Sequence, residues 1–417
     1  MSIFVKKENG CCFVKKKCLI IISLVIFGSL CLLSFKLSKE SAKNSIGVYV
    51  NDEYSSSIPA KDSGYYVDKI ECDNDALGEW DYVNWGLLTT NMTKKSKCNV
   101  YFVKNTILNN IKSSLDTTGK CPTVNSDGTV NVISAESENS LLCSAPDNYG
   151  TSYYYRGNVE NNYVRFANFY WRIVRINGDG SIRMIYDGTS AHENGEASDD
   201  RIIGTSAFNE KSDDNAYVGY MYGTPGSSIY EETHANINDS TIKKYVDNWY
   251  ESNLKDTEYE QYLADSLFCN DRTFTSDNTG TGYANSTTSY THKYINNTNE
   301  SLNCIQLNDA YTVNTSIGNS ELKYPIGIIS IDEIIIGGGS NFVKNEKYYF
   351  YARNYYWTIS AYSFQSNRAY MRYDHNGGVS DSTNDVTANI GVKPVINLKP
   401  NSLVSGDGSI DNPYRID

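Results

Sequence analysis

Short apolar runs separated by turn-forming clusters recur along most of the chain, and they predict strands far more often than helices. Phe169-Tyr-Trp-Arg-Ile-Val-Arg-Ile176 and Ser181-Ile-Arg-Met-Ile-Tyr-Asp187 are rich in β-branched and aromatic residues that suit a pleated surface. Asn177-Gly-Asp-Gly180 between them supplies the positive φ that a tight reversal needs. With the tyrosine run Tyr153, Tyr154, Tyr155 before them, these arms predict a β-hairpin over Ser152 to Asp187 on which the rest of the distal chain closes. Arg172 and Arg175 fall on this hairpin and read as framework rather than site.

Before the hairpin, residues 46–103 alternate in short stretches, with Trp80 and Trp85 available for a core, and predict a small β-sandwich-like spacer. Residues 104–150 form a connector. Ile107, Leu108, Ile111 and Leu115 stand at helical spacing within Lys104 to Asp116, and a cysteine-framed loop turns at Asn125-Ser-Asp-Gly128. After the hairpin, Asp239-Ser-Thr-Ile starts a helix with Ile242, Val246, Trp249 and Leu254 on one face, and Asp256 is expected to cap a second helix through Phe268. Residues 324–339 predict a strand running into a short helix, with Ser330 and Glu333 at capping-box spacing and Gly337 as the stop. Three strands close the chain: Tyr355 to Ser360, Arg368 to Tyr373, and Gly391 to Leu398, the last expected beside the Phe169 to Ile176 arm.

The extreme N-terminus follows a different pattern. Residues 18–35 are apolar and free of charge, close to the roughly 20 residues of a bilayer-spanning helix, and Lys15-Lys16-Lys17 precedes them. Residues 1–17 then read as a basic cytoplasmic tail, 18–35 as a transmembrane signal anchor, 36–45 as a linker, and everything beyond as extracellular, at the cell membrane. A cleaved signal peptide is the rival reading, disfavoured because no small-residue cleavage site follows. Cysteine placement agrees with export: Cys72, Cys98, Cys121, Cys143, Cys269 and Cys304 form an even set. Sequence leaves their connectivity open. Sequential pairing, 72 with 98, 121 with 143 and 269 with 304, closes one short loop per segment and is the expectation.

Charge narrows the function classes. Asp and Glu number 49 against 37 Lys and Arg, and five of those lysines crowd the first 17 residues. An acidic body of this kind excludes a general nucleic-acid binder, because a phosphate backbone rewards clustered cations. Tyrosine is in excess, at 35 residues, and spreads along the whole chain. It suits binding surfaces but locates none.

Several runs together carry a resemblance: Trp171-Arg-Ile-Val, Gly327-Ile-Ile-Ser-Ile-Asp-Glu333, Tyr356-Trp-Thr-Ile-Ser360, Gly377-Gly378, and Gly391-Val-Lys-Pro-Val-Ile-Asn-Leu398. Residues 151–417 resemble an uncharacterised domain of bacterial surface proteins with a C-type-lectin-like fold, shared with sulfatase-modifying and retroelement-diversified proteins. The resemblance implies an α+β distal domain made of a hairpin, two helices, long loops and closing strands. Trp171, Ile173, Trp357, Ile359, Val392, Val395 and Ile396 are its core candidates, and Gly391 a backbone requirement.

Chemistry is sparse. The copper- and cysteine-dependent oxidation of the sulfatase-modifying proteins does not carry over, since no cysteine follows Cys304. No G-x-S-x-G or H-E-x-x-H run occurs. Asp374 beside His375 reads as a solvated turn, and the four scattered histidines offer no zinc site. No cofactor is expected. Calcium is the only ion the loop oxygens of Asp213-Asp214-Asn215, Asn270-Asp271, Asp381 and Asn384-Asp385 would suit. What remains is a binding face on the loops from Arg353 to Asn389: Tyr355, Tyr362, Phe364, Asn367, Tyr370, Arg372, Tyr373, His375 and Asn376 combine aromatic anchors with adaptable polar groups. The sequence therefore reads as a membrane-anchored adhesion protein that recognises an external protein or glycan through this face and is not an enzyme. A passive envelope component is the alternative, and an uncharacterised enzyme the third reading.

Overall fold

The computed structural model describes residues 44–416, apart from 62, 94, 133–138, 292–299, 316, 340–346, 353 and 375–382. Strand accounts for 36% and helix for 14%, so sheets rather than helices set the fold class. The expected α+β, C-type-lectin-like arrangement is corrected to a β-dominated one with several sheets and, among the described residues, no closed barrel. The expected membrane helix over residues 18–35 lies outside the described residues, and among the described residues no helix is long and apolar enough to cross a membrane.

The hairpin forms as its sequence dictates. Phe169–Ile176 pairs antiparallel with Ile182–Gly188. The reversal is closed by Gly180 N–H to Asn177 O (2.8 Å) and Asn177 N–H to Ser181 O (2.8 Å), with Gly180 at φ +86°. All seven residues of Ile182–Gly188 are buried, so this strand is covered on both faces rather than half-exposed. It lies mid-sheet, in the order Ile326–Ile328, Pro394–Leu398, Ile182–Gly188, Phe169–Ile176, Gly150–Arg156, Leu141–Asp147. Two expectations change here. The closing strand pairs with the second arm (Met184 opposite Ile396) and not with Phe169–Ile176. Leu141–Asp147 is hydrogen-bonded along Gly150–Arg156, so the boundary expected at residue 150 falls inside a hairpin of the central sheet.

The second expected helix, residues 256–268, does not form. Asp256 sits at φ +58°, only Glu260–Tyr262 makes a 3₁₀ turn, and Ala264 N–H then bonds Asn397 O (2.8 Å), so the chain is spent on extending the last strand. The first helix does form, over Thr241–Asn253. Ser240 caps it by accepting Lys243 N–H, and Ile242, Val246 and Tyr250 face the core. Ile331–Ile336 carries the full Ser330/Glu333 capping box.

A second sheet runs Thr205–Ser206, Ile390–Gly391, Tyr356–Gln365, Arg368–Asp374, Thr383–Asp385. The seven core candidates from Trp171 to Ile396 are shut off from solvent or nearly so, and a Cβ on Gly391 would lie 2.3 Å from Tyr355 O, which is why glycine stands there. The N-terminal unit is a four-stranded mixed sheet (Glu53–Ser55, Ser45–Val50, Lys97–Lys104, Tyr65–Cys72) with the hairpin Leu77–Asp81/Gly86–Thr90 beside it. Trp80 and Trp85 pack on Phe102 in its core. The connector helix spans Thr106–Ser113 and buries Leu108 and Ile111. All three disulfides pair sequentially: Cys72–Cys98, Cys121–Cys143 and Cys269–Cys304.

Buried charge is matched inside the sheet. Arg175 reaches Asp147 (3.0 Å) and Glu333 (3.1 Å), Arg183 also pairs with Glu333, and Arg201 donates to Asp187 (2.7 Å) beside Arg172 and Lys393. Arg172 and Arg175 are thus framework, as their place on the hairpin implied.

Candidate functional site

The strands that carry the sequence-predicted face are covered over most of their length, and they bury part of it. Phe364 and Arg372 are fully enclosed, the Arg372 guanidinium lying 4.7 Å from the Tyr362 ring centre. Tyr362, Tyr370 and Tyr373 are half-buried, and Tyr373 packs beside Tyr355 (6.0 Å) and Trp357 (6.2 Å). Tyr355 and Asn367 are exposed, but Asn367 is a turn residue at φ +60°. His375 and Asn376 lie outside the described residues. The face is therefore not one surface: two members are core, and Asn367 turns the hairpin between its strands.

Four of the residues weighed for calcium, Asp214, Asn215, Asn270 and Asp385, are committed elsewhere. Asp214 accepts the N–H groups of Ala216 (2.9 Å) and Gly226 (2.7 Å), Asn215 donates to the carbonyls of Ala284 and Ser286, and Asn270 bridges Tyr220 N–H and Ile359 O. Asp385 holds Thr387 and Arg368. Asp381 is outside the described residues. Among the described residues no three His, Cys, Asp or Glu side chains converge as a metal site.

One Ser–His–acid set escaped the sequence reading. Ser190 Oγ is 3.5 Å from His192 Nε2, and His192 Nδ1 is 3.0 Å from Glu196 Oε1. A general base needs that Nε2 for its nucleophile. Here Asp200 Oδ1 takes it at 2.8 Å, and Ser190 Oγ bonds the same carboxylate (3.2 Å), so the set is a hydrogen-bonded clamp rather than a hydrolytic triad.

The site the structure assembles is a cleft of about 390 Å³ that the second sheet supports from below. Ala369 N–H bonds Ser212 O (2.7 Å) and Asn209 N–H bonds Val386 O (3.0 Å), tying the cleft's first wall to the closing strands. That wall carries Asn209, Glu210, Lys211 and Tyr217. The short strand pair Met221–Tyr222/Asn238–Asp239 adds Tyr222 and Asp239. Helix Thr241–Asn253 adds Thr241, Lys244, Tyr245 and Asn248, whose spacings of three and four residues put them on one face. The helix start is fixed by buried Lys243, which pairs with Asp239 (3.2 Å) and Asp247 (2.7 Å). Tyr245 Oη donates to Ile203 O (3.3 Å), close over Gly204, where a Cβ would meet that hydroxyl.

Electrostatically the cleft is balanced, with two lysines against two carboxylates. Burial, reinforced by Tyr222 and Asp213, pushes Tyr217 up to about 12, and burial with Glu210 and Asp239 raises Tyr222. Tyr217 and Tyr222 meet edge to face at 5.4 Å. Asn209, buried, donates from Nδ2 to Tyr217 O (2.8 Å), which fixes the direction of its own carbonyl oxygen. The lining holds aromatic rings, amides, hydroxyls and both signs of charge, and no thiol, imidazole or serine. Such a set suits the recognition of a polar ligand with apolar faces. Sequence reasoning missed it because residues 189–238 show no periodicity. The helix-face triplet Thr241, Lys244/Tyr245, Asn248 was the only signal within reach.

No family model, no curated protein and no solved structure matches the chain.

Proposed function

We propose that this chain is an exported, extracellular binding protein that recognises a neutral saccharide through the cleft around Tyr217, Tyr222 and Tyr245, without covalent chemistry. The observation that carries this reading is the lining of that cleft: three tyrosines on rigid elements, interleaved with Asn209, Asn248 and balanced charges. Pyranose rings offer CH-rich faces for aromatic contact and hydroxyls for amides and carboxylates, the two kinds of group that alternate here. Three disulfides support an oxidising compartment outside the cytosol. The distal site expected on the loops from 353 to 389 moves to the segment those strands support.

A glycan array probed with the oxidised full chain, followed by calorimetric titration of the neutral oligosaccharides that bind, tests the reading. Tyr222→Ala and Asn248→Ala should each weaken binding about tenfold or more, equivalent to about 1.4 kcal/mol; melting stays unchanged for exposed Asn248→Ala and falls for Tyr222→Ala, which also loses its packing on Tyr217. A silent array, or hits indifferent to both substitutions, would leave a passive envelope component as the better description.

A further inference from the structure

One polar group in the distal cleft is held more firmly than the rest of the lining. Asn209 is only 2% exposed although it lines the cleft, and its backbone N–H is spent on Val386 O (3.0 Å). Its side-chain Nδ2 donates to Tyr217 O at 2.8 Å. A carbonyl can only accept, so this contact assigns the two ends of the amide: the nitrogen faces the wall, and Oδ1 is the acceptor left over. Among the described residues no group donates to Oδ1, and the atom is not sealed from solvent. A largely buried acceptor is costly until water or a ligand supplies a donor, and the cleft is the side from which one can come.

Beside this acceptor the lining is apolar and rigid. The rings of Tyr217 and Tyr222 meet edge to face at 5.4 Å and form a corner. The 3₁₀ turn Asn215–Val218 that carries Tyr217 is pinned at its start by Asp214, which accepts Ala216 N–H (2.9 Å), and by Asn215, whose Nδ2 reaches Ala284 O (2.9 Å) and Ser286 O (2.7 Å). Tyr222 is held on its strand pair with Asn238–Asp239. A fixed acceptor next to an apolar corner matches a group with one N–H donor and a small apolar end. A sugar hydroxyl can also donate to Oδ1, but its own oxygen then needs a donor that ring faces do not supply. An acetamido group brings the N–H and a methyl together, and Lys211 and Lys244 in the same lining are donors for its carbonyl.

We propose that the distal cleft selects N-acetylated sugars, with Asn209 Oδ1 accepting the acetamido N–H and the methyl lying in the Tyr217–Tyr222 corner. This ligand class rests on the saccharide reading of the cleft and narrows it to one substituent. The acetamido group is uncharged, as suits a lining that sets two lysines against Glu210 and Asp239. The corresponding free amine would be drawn to those carboxylates instead.

The test titrates the oxidised full chain with three gluco-configured trisaccharides of one linkage that differ only in the substituent beside the anomeric carbon: acetamido, hydroxyl or ammonium. The acetamido form should bind about tenfold or more tightly than the hydroxyl form. Saturation-transfer difference spectra of the acetamido complex should show the methyl protons among the most strongly saturated. Asn209→Ala should bring the two neutral affinities together, whereas a residue that only props the wall would lower both and keep their ratio. Where Asn209→Ala fails to fold, the methyl saturation of the wild-type complex decides. Equal affinity for the two neutral forms, tighter binding of the ammonium form, an unchanged ratio in Asn209→Ala, or an unsaturated methyl would overturn the N-acetyl selectivity and leave the saccharide reading standing. No binding of any of the three, with a silent glycan array, would remove both.

Discussion

Arg175 and Glu333, 158 positions apart, meet in the core with Arg175 Nε 3.1 Å from Glu333 Oε1. Glu333 also takes Arg183 and caps its own helix through Ser330 N–H (3.2 Å), so one carboxylate joins the hairpin, the Ile331–Ile336 helix and the central sheet. Burial alone would raise its pKa. The guanidiniums of Arg183 and Arg175 outweigh burial and hold it below the ordinary carboxylate range. Removing the carboxylate takes from Arg183 its carboxylate and leaves Arg175 with Asp147 alone, so Glu333→Ala should cost about 3–5 kcal/mol, read from urea denaturation at neutral pH. The sign of the pH effect follows from the lowered value. The contribution is complete above the unfolded glutamate value of 4.5 and is lost as pH falls through the folded one. The gap between wild type and Glu333→Ala should therefore narrow in strong acid, and a gap constant from pH 7 to pH 2 would refute the linkage.

Reduction should act on three separate loops. Cys72–Cys98, Cys121–Cys143 and Cys269–Cys304 close 26, 22 and 35 positions. Chain-entropy arguments give about 3–4 kcal/mol for loops of this length. Peptide mapping of the non-reduced protein should recover these three pairs and no others among these six cysteines. Removing the Cys269–Cys304 bridge, as Cys269→Ala/Cys304→Ala to avoid a stray thiol, should lower the melting temperature by several degrees. An unchanged melting temperature would mean the distal loop is held by its hydrogen bonds alone.

Where one strong local pattern met one structural outcome, the sequence was sufficient. The Asn177–Gly180 reversal, the Ser330/Glu333 capping box, the helix start within Asp239-Ser-Thr-Ile and the sequential disulfides all rest on contacts within a few positions or on loop closure, and all are present. Residues 256–268 carry apolar spacing compatible with a helix, yet Leu263 and Ala264 are drawn onto Asn397 and Leu398, some 130 positions away, and long-range pairing overrides local propensity. The same holds for the binding face. Phe364 and Arg372 look like anchors in sequence because nothing local says which side of a strand the core will occupy. The cleft around Tyr222 draws on a loop, a strand pair and a helix, and only the assembled fold brings them together.

Gly391 tests how closely neighbouring strands of the second sheet approach each other. Its N–H bonds Tyr355 O (3.0 Å), while a Cβ there would approach that same oxygen to 2.3 Å and the Ile202 side chain to 3.1 Å. Backbone cannot yield as a flexible side chain does, so Gly391→Ala should cost about 1–3 kcal/mol. Gly86, with nothing within 4 Å of its own Cβ position, is the control. Gly86→Ala should leave the denaturation midpoint nearly unmoved, and equal losses at the two positions would show that the clash at Gly391 relaxes freely.

His234 gives the fold a distinct acid response. It is buried, stacks on Tyr230 at 3.9 Å between ring centres, and places Nδ1 3.0 Å from Tyr230 O. Burial, with the nearby Arg272 guanidinium, pushes its pKa down to about 3, against the opposing pull of Asp309. The folded protein thus keeps the imidazole neutral where the unfolded chain takes up a proton near 6.5. Between those values the unfolded state binds more protons, so stability rises with pH. The contribution is complete above 6.5 and erodes as pH falls from 6.5 toward 3. A His234→Gln variant carries no such proton. Its denaturation midpoint should fall less steeply than that of the wild type between pH 6.5 and pH 4, while parallel profiles over that interval would show that His234 titrates alike in both states.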